Sequence, residues 1–253
     1  MAQKWTAVYR YRWTPIMTFT RRRLQLLDWY EQHVEPVAFV ENPEQIGIAM
    51  LSPLLRVRVD RNSMIVSTAE PDLPIDALAR AIDGVFEVME PNGAVIDLVN
   101  SVWTSALQGQ SYNEARARFG ARLAAAGATP AGLRPTDASA LMDFQSLDWK
   151  GQVEWGVVSA RELADRIAEP DRGRIRGEAG IDRRPSAQQP REGLPDVSLL
   201  VDVRMTRQLG GAVANSAEVL SAIEQADEQA GALVDALRPT FDEGGQSEFA
   251  EAQ

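Results

Sequence analysis

The sequence predicts an α+β fold of antiparallel sheets with covering helices, and three observations carry that expectation. Apolar and polar residues alternate over residues 4–13 and 197–205, the period of a strand with two unlike faces. Apolar residues recur at helical spacing over 20–34, 75–89 and 216–237. The strand-like runs are joined by short turn clusters, which disfavours a doubly wound parallel sheet.

In chain order, Trp5, Ala7, Tyr9, Tyr11 and Trp13 form one face of a first strand, with Lys4, Thr6, Arg10 and Arg12 on the other. A helix follows from an expected Thr20 N-cap to His33, burying Leu24, Leu27, Tyr30 and Val34, and Pro36 closes it. Residues 46–68 read as two strands broken at Asp60-Arg61-Asn62-Ser63. Ile75, Leu78, Ile82, Val85, Phe86 and Met89 mark a helix that Pro91-Asn92-Gly93 ends. Residues 94–107 form a strand, and Ser111-Tyr112-Asn113-Glu114 is a capping box for a helix carrying Ala115, Phe119 and Leu123.

The second half repeats this grammar. Strands at 141–149 and 152–159 flank Lys150-Gly151, read as a tight hairpin turn, and a short helix spans 161–168. The strand at 197–205 alternates Val197, Leu199, Val201, Val203 and Met205 with Ser198, Asp202 and Arg204. A final helix from Ser216 to Leu237 has its stripe at Val219, Leu220, Ile223, Ala226, Ala230, Leu233, Val234 and Leu237. The expected organisation is two pseudo-repeated strand-strand-helix units, an N-terminal one over 1–130 and a C-terminal one over 131–239. An arginine-rich insertion, 169–196, and an acidic tail, 240–253, are expected to lie outside the packed body.

Composition closes off much chemistry. With no cysteine and one histidine, His33, there is no thiolate catalysis, no disulfide, no sulfur-ligated zinc and no multi-histidine metal site. His33 is expected at a helix end as a structural or surface residue. Gly-x-Ser-x-Gly, Gly-x-Gly-x-x-Gly and P-loop patterns are lacking, and Gly210-Gly211 alone reads as a turn. No cofactor is expected. Asp83 with Glu87 and Glu224 with Glu228 stand off the apolar stripes and face water, while Asp97, Asp143, Asp148 and Asp202 are placed in strands, where one or two could meet in a cleft.

Charge is unevenly placed. The net charge of −10 disfavours a general nucleic-acid binder and no run is apolar enough to span a membrane. Residues 1–23 nevertheless hold six basic and no acidic side chains, and residues 215–253 hold nine acidic ones against Arg238. Two lysines against 24 arginines point to a GC-rich bacterial coding bias. The expected partner-binding residues are Arg21, Arg22 and Arg23 together with Arg172, Arg174, Arg176, Arg183 and Arg184 of the insertion. The expectation is a non-catalytic, cytoplasmic bacterial protein that binds a partner protein, self-associates, or takes an apolar ligand between sheet and helices. The alternatives are a nucleic-acid accessory using the basic N-terminal strand and the insertion, and a carboxylate-dependent enzyme.

Overall fold

In the computed structural model the described residues are 2–51, 54–70, 72, 74–93, 95–125, 139–146, 148–168, 193–209 and 215–237. They form nine strands and five helices. The strands are β1 (Gln3–Arg12), β2 (Ala38–Asn42), β3 (Gln45–Leu51), β4 (Leu54–Asp60), β5 (Ser63–Thr68), β6 (Val95–Ala106), β7 (Ser139–Ser146), β8 (Trp149–Ser159) and β9 (Val197–Gln208). The helices are α1 (Phe19–His33), α2 (Ile75–Met89), α3 (Tyr112–Ala125), α4 (Ala160–Ala168) and α5 (Ser216–Leu237). This is the expected α+β class, with one antiparallel sheet in the order β2-β3-β4-β5-β1-β6-β9-β8-β7. From the central β1–β6 seam the order runs outward through β5, β4 and β3 on one side and through β9, β8 and β7 on the other. β6, expected in the N-terminal unit, hydrogen-bonds along β9 of the C-terminal one.

One sheet face carries α1, α2, α3 and α5. Buried side chains of α1, α2 and α5, among them Leu26, Tyr30, Leu78, Ile82, Val85, Ile223 and Ala226, meet Tyr9, Val57, Val66, Val99, Val201 and Val203 in a continuous core, and Ala115 and Phe119 of α3 pack with Val157 and Val197 in a separate cluster. Each fully buried Leu, Ile or Val contributes about 1.5–3 kcal/mol, so this layer is the main source of stability. Among the described helices only α4 covers the other face, where Leu163 and Ile167 pack on Val102 and Leu200. Among the described residues no helix lies on that face over β2–β5.

The structure moves several sequence-based expectations. A register irregularity on β1 between Lys4 and Thr6 exchanges two neighbours. Trp5, expected with the aromatic face, turns away and donates to Thr104 Oγ1 at 2.7 Å, while Lys4 turns to the helices and pairs with Asp227 at 2.8 Å. A bulge does this because two residues on one strand oppose one on its partner, which shifts the alternation. The N-cap of α1 is Thr18 rather than Thr20, and the helix buries Phe19, Leu26 and Tyr30 while Leu24 is exposed. The run 46–68 holds three strands, not two, and β2 precedes them.

Lys150-Gly151 is no turn: both lie inside β8, and Asp148 is in the turn itself. Gly151 is required by close approach. A Cβ there would stand 2.5 Å from Arg204 O and 2.6 Å from the Phe144 ring. The capping box at Ser111–Glu114 is present, and Ser159–Glu162 repeats it at α4.

Candidate binding trough on the open sheet face

The helix-free face over β2–β5 is shaped by which residues the strand register brings level. One row across the sheet reads Val40, Gly47, Arg58, Ile65, Arg10, and the next reads Ala38, Ala49, Arg56, Ser67, Val8. Small residues therefore sit along β3, between longer ones on β2 and β4. The result is a trough of about 480 Å³ whose floor is Gly47 and Ala49 and whose far end is marked by Gln45. Its outer wall is apolar, from Ala38 and Val40. Its inner wall is cationic, from Arg56 and Arg58.

Val40 is 59% exposed and Phe39, which leaves β2 toward the helix side, is 57% exposed. Exposed neighbouring apolar groups on an edge strand are the kind of surface that proteins keep for contact with another molecule. Arg56 and Arg58 are exposed, and among the described residues no carboxylate pairs with either. Arg10 and Arg12 extend the cationic character along β1 and are themselves engaged in other interactions. Asp60, at the end of β4 on this face, is committed to its turn, accepting from the Asn62 N–H at 2.8 Å and the Ser63 hydroxyl at 2.7 Å. In a molecule of net charge −10, this is a local reversal of sign.

The same face carries a second polar group nearer β7. Asp202 on β9 is buried, its Oδ1 accepting from the Asn100 amide at 2.5 Å and its Oδ2 from Arg204 at 2.7 Å. Arg166 of α4 stands 3.8 Å away and bonds Glu154 at 3.2 Å. Burial pushes the Asp202 carboxyl above its ordinary value, against the opposing pull of Arg204 and Asn100. Both oxygens are held by donors, and the network ties α4 to the sheet. Asp143 accepts from Gln152 at 3.0 Å and Asp148 pairs with Arg207 at 3.5 Å, so neither joins Asp202 in a carboxylate pair. Among the described residues no group of three or more carboxylates or histidine is placed to hold a metal ion.

The sequence-expected residues fall elsewhere. Arg22 caps the end of α2: its guanidinium donates to Met89 O at 2.7 Å and Val88 O at 3.3 Å and pairs with Glu90 at 2.6 Å. That satisfies orphan carbonyls at the negative end of the helix. Arg23 pairs with Glu41 of β2 at 2.7 Å, and Arg21 is exposed. Arg172, Arg174, Arg176, Arg183 and Arg184 lie outside the described residues, as do Gly210-Gly211 and the acidic tail. His33 is at the exposed end of α1, its Nδ1 2.8 Å from Trp29 O and its ring stacked on Trp29. Between sheet and helices the described residues line a cavity of about 30 Å³ under α3, bordered by Leu107, Ala115, Phe119 and Val157. Arg56 and Arg58 were visible in the sequence as the polar half of an alternation with Val57 and Val59. What gives them a setting is Gly47, Ala49 and Val40, and only strand pairing brings those alongside.

No protein-family model matches the chain, and no curated protein matches it in sequence. No helix among the described residues is long and apolar enough to cross a membrane.

Proposed function

We propose that this is a non-catalytic binding protein that takes a partner carrying both negative charge and apolar surface in the trough on the open sheet face. The observation that supports this reading is the placement of exposed Arg56 and Arg58, which have no carboxylate partner among the described residues, opposite the apolar Val40 wall across a small-residue floor. Arginine is suited to the task because it stays charged at all relevant pH and binds carboxylates through two parallel hydrogen bonds. The wall supplies contact area, and the charge supplies orientation and encounter rate.

The amphiphilic anion 1-anilinonaphthalene-8-sulfonate is a suitable first probe. Its fluorescence should rise saturably with the wild-type protein, weaken as salt is added, and lose its saturable component in the Arg56→Glu/Arg58→Glu variant. An identical titration for wild type and variant overturns this function.

A further inference from the structure

Resting on that reading, we infer that the natural occupant is an extended peptide segment of a partner protein in which acidic residues alternate with apolar ones. The two walls of the trough run parallel to β3 and differ in chemistry along their length. Arg56 and Arg58 are two residues apart on one strand face, about 6.5–7 Å along the strand axis. An extended peptide repeats its side chains with the same period, so every second residue of a strand lying in the trough faces the same wall. Glutamates or aspartates at positions i and i+2 then meet the two guanidinium groups in register. The residues between them turn to Val40 and Ala38.

A helical segment does not match this spacing, because its neighbours on one face are three or four residues apart. A single-headed amphiphile would use one arginine and leave the other idle. The length of the floor, from Gln45 to Ala49, accommodates about five extended residues, or roughly 16 Å. The backbone of β3 under the trough is paired on both sides, so recognition here is by side chains on the sheet face rather than by added strand pairing.

Gly47 gives a test that separates binding from folding. A Cβ at Gly47 meets only ordinary contacts, 3.7 Å to Val57 O and 4.0 Å to Val40 Cβ. Gly47→Val therefore raises the floor without disturbing the sheet, and a β-branched residue favours the strand. The measurement is fluorescence anisotropy with two labelled twelve-residue peptides of equal composition, one alternating Glu and Val, the other arranged in Glu-Glu-Val-Val blocks. The alternating peptide should bind at least tenfold more tightly than the block peptide. Its affinity should fall at least tenfold in Gly47→Val and in Arg56→Glu/Arg58→Glu, while the urea midpoint of Gly47→Val stays level or rises. Equal affinity for the two peptides, or full affinity in Gly47→Val, overturns the inference. If the anilinonaphthalene probe binds through the arginines and neither peptide does, the trough is a binding site for another class of anion and only the peptide assignment fails. If neither probe nor peptide binds, both readings fail.

Discussion

Tyr9 and Tyr11 leave β1 on the same face, both buried beneath α5, yet their hydroxyls meet different surroundings. The Tyr9 hydroxyl lies 3.4 Å from Asp227 Oδ1, beside the Lys4–Asp227 pair. The Tyr11 hydroxyl is buried and has no hydrogen-bond partner among the described residues. Burial raises the pKa of both, with Asp227 adding to the effect at Tyr9 and Glu218 at Tyr11. A satisfied hydroxyl contributes about 0.5–1.5 kcal/mol, whereas an unsatisfied one opposes folding. Tyr9→Phe should therefore lower the free energy of unfolding by an amount near the lower end of that range, and Tyr11→Phe should leave it level or raise it, as read from urea denaturation. Equal losses in both would show that the hydroxyl environments are not different in effect. The sequence placed both rings in the core but not this contrast, since the partner on α5 lies more than 200 residues away in the chain.

The helices were the most legible elements, because their signals are local. The apolar stripe of α2 and its Pro91-Asn92-Gly93 stop, the capping box of α3 and the full span of α5 can all be read from neighbouring residues. β2 was missed because it is an edge strand exposed on both faces, so Ala38–Asn42 shows no alternation. Lys150-Gly151 was misread because a glycine needed for close packing resembles a glycine needed for a turn. The two capping boxes carry a pH dependence. Hydrogen bonds from the Ser111 backbone and side chain hold Glu114 below the ordinary glutamate value. At Glu162 burial pushes the pKa up, but the bonds from Ser159 and Tyr112 outweigh it and the net shift is downward. A carboxylate with a lowered folded pKa contributes stability that is present above its unfolded pKa and lost as pH falls through the folded value. Acidification from pH 6 to pH 3 should thus destabilise the wild type more than Glu114→Gln/Glu162→Gln, measured by urea midpoints across that range. Parallel curves would remove the caps from the account.

At the scale of the molecule, the single sheet is what joins the two halves. β1 pairs with β5 on one side and with β6 on the other, so the seam is hydrogen-bonded like any other strand pair. A chain built this way should unfold in one cooperative transition. Fluorescence dominated by tryptophans in both halves, such as Trp29 and Trp149, should trace the same denaturation curve as far-ultraviolet circular dichroism. Two separated transitions would show that the halves are independently stable. The central place of β1 also bears on how the fold is reached during synthesis. Its two sheet partners lie in residues 63–68 and 95–106, and the strand that closes β6 on its far side begins only at Val197. At the roughly 5–20 residues per second of translation, β1 waits on the order of 3–11 s for β5 and on the order of 5–20 s for β6. The middle of the finished sheet is thus the strand of the nascent chain left longest without a sheet neighbour.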